Sequence, residues 1–394
     1  MSDWRQVALT ELVAQRRDSV KIESGVEYRL LGVRWYGGGA FHRETVTRET
    51  SKATTVYRVT PGQFIYNRLF AGKGSFGLVP PEFAGAFVSN EFPLFDTDTE
   101  RLSAEYLNLY FQQRQVWDYV EGVSIGTTAS RNRWKESQFL AHRIPLPPLP
   151  AQKRIVEVIG AVDGQIAALE AEASALACVM AAIRSQLLQP EGGWDEMAVG
   201  DLAETRTGRA FPDKYQGNAN GEVPYFKVAD MNAPANSRYL TTARNWLDGD
   251  GIAAVKPRIC PPGTVVFPII GAALATEKRR LLVQPSAFDQ NLMGLVPNDR
   301  VLPEYLLTVM SSIRLSDLTQ PGAVPSVNQR IVSAIRVPLA PRHLQEQIVE
   351  TMDSLRGQVD ATHAEAGRLR AVRAGLLSGL VGGTIEIEST ELEV

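Results

Sequence analysis

Cationic, amide and aromatic side chains gather at several points of this 394-residue chain, in combinations suited to a polyanion. Arg34 and Tyr36 flank Trp35 just before Gly37-Gly38-Gly39, with His42 and Arg43 beyond. Lys73 lies between two glycines, and Arg131, Arg133 and Lys135 alternate with Asn132 and Trp134. Farther along come Lys214-Tyr215, Arg244-Asn245-Trp246, Lys278-Arg279-Arg280 and Asn328-Gln329-Arg330. Cationic groups contact phosphates whatever the sequence, whereas Arg, Asn and Gln can bond base edges bidentately. Any one such residue is commonly a solvated surface group. Their recurrence as clusters in two matching regions favours nucleic-acid contact.

Other chemistries find little support. Gly72-Lys73-Gly74-Ser75 lacks the leading glycine of a phosphate-cradling loop, and no glycine-rich turn suggests a dinucleotide or S-adenosylmethionine site. The Asn/Asp-Pro-Pro-aromatic signature of amino-methyltransferases is absent. His42, His142, His343 and His363 are scattered, without metal-ligand spacing. Asp96 and Asp98 stand in a turn-rich stretch, and Asp289-Gln290-Asn291 reads as a structural turn. No catalytic residue, metal or cofactor is therefore expected. The net charge of −3 carries no nucleic-acid signature by itself. Two distant cysteines, Cys178 and Cys260, form no disulfide framework and fit a reducing cytosol. The beginning does not read as a signal peptide. The longest apolar run, around Val265 to Ala275, contains Pro268 and is too short to span a bilayer. The expectation is a soluble, cytoplasmic protein.

The elements that position the clusters occur twice. PPLPAQKRIVEVIGAVDGQIAALEAEASALACVMAAIRSQLL begins near Pro148, and a second copy begins at Pro341. Without a gap the copies share Pro145/Pro338, Gln152/Gln345, Ile155/Ile348, Gly164/Gly357, Ala168/Ala361 and Leu176/Leu369, among others. Prolines precede each copy and are absent within, as at a helix start. Ile155, Ile159, Val162, Ile166, Leu169, Ala173, Leu176, Met180, Ile183 and Leu187 alternate in steps of four and three, a heptad seam. The second seam runs through Ile348, Met352, Leu355, Val359, Thr362, Ala366, Leu369, Arg373, Leu376 and Leu380, weakened at Thr362 and Arg373. Each helix should be about 57 Å long, at about 1.5 Å per residue. One narrow stripe needs a partner, either the chain's own repeat or a second chain. Close backbone approach would explain Gly164 and Gly357; a tolerated defect is the other reading.

Before each helix lies a mixed domain. In residues 1–143, strands are expected at Tyr28–Trp35, Thr54–Val59, Gln63–Leu69 and Ala86–Asn90, with a triple-glycine break and one helix from Ser103 to Tyr119. Residues 191–336 repeat this plan: Trp194 answers Trp4, Pro262-Gly263 answers Pro61-Gly62, and Glu304-Tyr305-Leu306 answers Glu105-Tyr106-Leu107. The helices occupy 144–190 and 337–383, and an acidic tail, 384–394, is expected to be disordered. The helices are closely alike, as suits docking one kind of partner twice. The domains are diverged, as suits two different ligands.

At this point the chain resembles the specificity subunits of type I restriction–modification enzymes. The resemblance rests on PLPPLPAQKRIV (145–156) and VPLAPRHLQEQIV (337–349), each opening a long helix after a variable domain. It implies an α/β (α+β) fold in which two similar target recognition domains are separated by two long helices, packed as an antiparallel coiled coil with a pseudo-two-fold internal repeat. It implies a non-catalytic subunit that binds double-stranded DNA, each domain reading one half of a gapped site. The helices would dock two adenine-N6 methyltransferase subunits, which bind S-adenosylmethionine, and restriction subunits would join through them. Arg342-His343 replaces Leu-Pro in the second copy, so the two docking sites need not be equal. A solitary nuclease or methyltransferase with an unrecognised site and a protein-only coiled-coil adaptor are the other readings.

Overall fold

A computed structural model describes residues 4–125, 132–190, 194–319 and 324–386. The chain divides into two compact units, one of residues 1–170 with 364–394, the other of residues 171–363. Each unit holds a mixed α/β domain and a part of both long helices.

In the first unit a four-stranded antiparallel sheet runs Val13–Arg16, Leu94–Thr97, Phe64–Tyr66, Phe76–Leu78. A five-stranded sheet orders Ser19–Lys21, Thr55–Arg58, Phe87–Val88, Tyr28–Val33 and Ala40–Val46, with Leu30 and Phe87 paired in parallel. The strand after Pro61-Gly62 shows why these residues form a sheet. Successive side chains face opposite ways, so Phe64 and Tyr66 enter one core and Ile65 enters another. The larger core is a block of rings, with Phe64, Tyr66, Phe76, Phe95, Phe111, Trp134 and Phe139 all fully buried.

The second unit repeats this plan. Its main sheet runs Ala203–Thr207, Leu292–Pro297, Val265–Pro268, Arg280–Leu282, Tyr239–Leu240. Val265 and Phe267 face one core and Val266 another, as in the first unit. A smaller sheet again contains a parallel pair, Val223–Phe226 with Ala287–Phe288. In each unit a short strand preceding the domain pairs with the one leading into a long helix: Val7 opposite Ile144, and Met197 opposite Val337.

The long helices span Leu149–Leu187 and Arg342–Val381. Every seam residue of both copies is buried or half-buried. Ile155 and Ile159, near the start of one helix, share a core with Leu377, Leu380 and Val381 at the end of the other. Met180, Ile183 and Leu187 share a core with Leu344, Ile348 and Met352. Start meets end each time, so the pair is intramolecular and antiparallel. Arg373 interrupts the hydrophobic seam yet does not leave a charge unpaired: it forms an ion pair with Asp163 and donates to Gln112 Oε1 at 2.7 Å. Of the acidic tail expected at 384–394, residues 387–394 lie outside the described residues.

Two expectations are corrected. Space around Gly164 and Gly357 is open, with nothing within 4 Å of an added Cβ, so close backbone approach does not account for them. The expected helix from Ser103 to Tyr119 is two helices, Ala104–Tyr110 and Arg114–Val123. Ser103 does cap the first, but Gln113 donates to the carbonyl of Tyr110 at 3.1 Å and Trp117 Nε1 to that of Phe111 at 2.6 Å. Side chains thus satisfy carbonyls that a continuous helix would use. The triple glycine does end the strand that begins at Tyr28, as a hairpin turn into the strand Ala40–Val46. Separately, the first long helix is long and apolar enough by composition to cross a membrane, and its seam residues join the core of each unit.

Candidate nucleic-acid interface

In the first unit the hairpin at residues 34–39 brings Arg34 and Tyr36 to Lys73. The Arg34 N–H donates to the Gly39 carbonyl at 2.9 Å and closes the turn. Tyr36 has a left-handed backbone, φ 57°, and its N–H donates to the Lys73 carbonyl at 2.8 Å. The next N–H, of Gly37, reaches the Gly74 carbonyl at the same distance. Gly74 can be nothing larger, because a Cβ there would lie 2.5 Å from the Trp117 ring at φ +72°. These bonds hold out an exposed aromatic ridge. Tyr36 is 63% and Trp35 47% exposed, and Trp35 packs on Phe70 with centroids 5.1 Å apart. Arg34 lies over the Phe41 ring at 4.6 Å.

The remaining cations of this unit stand along the same loops. Arg43 points from the strand Ala40–Val46 and pairs with Glu44. Lys73 pairs with Glu121 at 2.7 Å and Arg133 with Glu91 at 2.8 Å. Lys135 is exposed at the start of the helix Glu136–Ala141. These ion pairs are exposed or nearly so, hence individually weak and open to exchange for phosphate. Arg131 lies outside the described residues. Trp134 is core, not surface, and is fully buried.

The second unit gathers its candidates around residues 214–218, 230–236 and 244–246. The Asn245 side chain accepts from Gly217 N at 2.9 Å, and Trp246 N donates to the Asn218 carbonyl at 2.8 Å, which joins the Lys214-Tyr215 loop to the Arg244 loop. Lys214 lies over Tyr215 at 4.6 Å, and Arg244 is exposed beside buried Asp230 at 3.8 Å. Lys278 bonds Asn232. Arg279 is different: it is 6% exposed and donates to the Glu277 carboxylate at 2.7 Å and to the Ile313 carbonyl. Arg280 is half-buried and donates to the carbonyls of Asn236, Arg279 and Met231.

Asn328, Gln329 and Arg330 begin the helix Gln329–Ala334. Asn328 caps it by accepting from Ile331 N at 3.0 Å, and Gln329 donates to the Thr205 carbonyl at 2.9 Å. Arg330 is exposed. The two units build this corner alike. Trp134 N donates to the Arg68 carbonyl at 3.0 Å, and Val327 N to the Ile269 carbonyl at 3.0 Å. Lys135 and Asn328 are the helix-capping positions that follow.

The joints between domain and helix also repeat. Gln152 is fully buried; it accepts from Ser103 N at 2.8 Å and donates to the carbonyls of Arg101 at 2.8 Å and Pro147 at 2.9 Å. Gln345 does the same with Leu302 N at 2.8 Å, Arg300 at 3.0 Å and Ala340 at 2.9 Å. Tyr106 and Tyr305 each donate to a proline carbonyl, of Pro145 and Pro338, at 2.9 Å.

Residues 191–369 match the family described as the type I restriction modification DNA specificity domain. That stretch, from the second domain into the second long helix, is similar to the type I specificity domain. A relative from Escherichia coli, the type I restriction enzyme EcoR124I/EcoR124II specificity subunit, is 20% identical over 232 residues; the match covers 55% of this chain and only 56% of that relative. Among solved structures, a chain from a study of complex assembly and conformational transition of the type I system matches at a TM-score of 0.66, with 17% identity over 98% of this chain and 99% of that one. The type I S subunit from M. genitalium matches at 0.51, with 12% identity over 96% of each chain. At these identities the structural likeness is one of fold. It agrees with two mixed domains and two long helices in this chain.

Some members of the candidate surface were not legible in the sequence. Phe70 gave no signal of its own, because only folding sets it against Trp35. Lys227 donates to Gln216 at 2.9 Å and lies near buried Asp289, whose carboxyl is pushed up chiefly by burial. Asp289 itself makes the expected turn, accepting from Asn291 N at 3.0 Å. Asp96 pairs with Arg16 and accepts from Gln63 at 2.9 Å, and so is engaged in structure.

Proposed function

We propose that this chain is the non-catalytic DNA-specificity subunit of a type I restriction–modification system, acting in the cytoplasm. The domains at 1–143 and 191–336 each read one half of a gapped target in double-stranded DNA. The observation that carries this reading is the contrast within the repeat. Buried joints at Gln152 and Gln345 are the same bond for bond, whereas the exposed tips differ. The first unit offers an aromatic hairpin, the second a set of loops tied by Asn245. A shared scaffold with divergent tips suits two readers of different bases. Arg34, Tyr36, Arg43, Lys73, Arg131, Arg133 and Lys135 form the DNA-facing set of the first domain. Lys214, Tyr215, Arg244, Lys278, Asn328, Gln329 and Arg330 form that of the second. Arg279 and Arg280 support the loops from behind, since their donors are committed to neighbouring carbonyls and to Glu277.

The long helices, 144–190 and 337–383, dock two adenine-N6 methyltransferase subunits, with restriction subunits joining through them. Support comes from apolar residues left exposed on each long helix: Val179, 50% exposed, beside exposed Cys178 on the first, and Val372, 58% exposed, on the second. Selection of bound duplexes from randomised DNA tests the DNA reading. Two short fixed blocks at constant separation are expected. Replacing residues 191–336 by those of another such subunit should change one block only; a change in both blocks would refute independent readers.

A further inference from the structure

In the second unit, a cavity of about 330 Å³ is walled by guanidinium groups from both long helices and from the domain. Arg184 comes from the first long helix, Arg356 from the second, and Arg238, Arg279 and Arg280 from the domain. Five cations meet three carboxylates, Glu277, Asp360 and the Asp353 that pairs with Arg238, leaving two positive charges in excess. Burial is costly for such groups unless an anion and hydrogen-bond acceptors compensate.

The carboxylates compensate only in part: Asp353 pairs with Arg238 and, with Asp360, favours the charged form of Arg356. Glu277 already accepts from Leu315 N at 3.1 Å, from Ser316 N at 3.0 Å and Oγ at 2.8 Å, and from Arg279. Arg184 and Arg356 have no hydrogen-bond or ion-pair partner among the described residues. The Nε atoms of Arg238 and Arg279 are buried without an acceptor, and the side chain of Arg279 is only 3% exposed. Burial lowers the guanidinium pKa of Arg184, Arg280 and Arg356, and in each a neighbouring guanidinium lowers it further: Arg279, Arg356 and Arg238 respectively. Arg184 and Arg356 thus bring unused donors, and Arg238 and Arg279 one unused Nε each, to a cluster of mutually repelling charges.

We propose that this cavity is an anion site for a phosphoryl group. Planar guanidinium forks suit the several oxygens of a phosphate, and the charge excess matches a phosphate dianion. The phosphoryl group can come from a free phosphate compound or from a nucleic-acid backbone. Because the site joins both helices to the second domain, its occupancy stiffens that joint.

The test is calorimetric titration of the full-length chain with inorganic phosphate and pyrophosphate at constant ionic strength in chloride. Saturable binding at one site is expected, with a rise in Tm above that in matched chloride. Arg184→Gln and Arg356→Gln should each weaken binding roughly tenfold, the worth of one charge-assisted hydrogen bond. Without phosphate the same variants should melt at or above the wild-type temperature, because each removes a repelling cation. Arg154→Gln, at an exposed cation of the same helix, should change nothing. No saturable binding by the folded wild-type chain overturns the proposal, and so does undiminished binding by the Arg184→Gln/Arg356→Gln double variant. Displacement of bound phosphate by duplex DNA identifies the backbone as the source; retention identifies a free ligand. Neither source depends on which bases the domains read, so failure here leaves the specificity role to its own test.

Discussion

Gln152 and Gln345 occupy the same place in the two copies of the repeat and make the same three hydrogen bonds, one accepted and two donated, at 2.8–3.0 Å. Each amide ties the first turns of a long helix to the segment before a domain helix. Gln152→Leu or Gln345→Leu would strand a buried N–H and two carbonyls, costing about 1–3 kcal/mol per unsatisfied group. Comparable losses of stability in urea melts are expected for the two variants. A loss at one position alone would mean that the joints are not energetically equivalent.

The cations of residues 131–135 should govern the salt dependence of DNA binding. Replacing Arg131, Arg133 and Lys135 by alanine should weaken binding and reduce the slope of log K against log salt by about 0.9 for each phosphate no longer neutralised. Fluorescence anisotropy with duplex DNA from low to moderate salt checks this. An unchanged slope removes that segment from the interface.

His142 gives the first unit a pH dependence of defined sign. Burial beside Tyr110, whose hydroxyl lies 2.8 Å from Nε2, lowers its pKa from 6.5 to about 4. The folded state therefore prefers the neutral ring. The stabilisation is fully present above pH 6.5 and declines as pH falls toward about 4. The difference in stability between the wild-type chain and His142→Gln should shift in the variant's favour across that window. A constant difference would show that the ring protonates as readily folded as unfolded.

The seam and the outer face of the first long helix should respond differently to charge. Ile166 is 8% exposed and Ala168 is exposed two residues later. Ile166→Arg buries a charge with no prepared partner and should destabilise the pair by several kcal/mol. Ala168→Arg should leave stability near wild type and weaken capture of methyltransferase subunits in a pull-down. Unfolding by circular dichroism separates the two effects, and normal capture by Ala168→Arg would place the docking surface elsewhere.

The sequence by itself determined the repeat, the long helices and their seams, because helix periodicity is a local property that the order of apolar residues records directly. It also marked Arg34, Tyr36, Lys214 and Arg244 as exposed, since cations and aromatics beside turns have few other uses. Only tertiary structure decided the rest. The antiparallel, intramolecular pairing follows from which helix ends share a core, and Arg373 is tolerated in the seam because Asp163 and Gln112 meet it there. Trp134 and Arg279 resemble surface residues in the chain, yet one is buried in a block of rings and the other walls a cavity. Their neighbours are distant in sequence, and burial depends on those neighbours, not on the residues beside them.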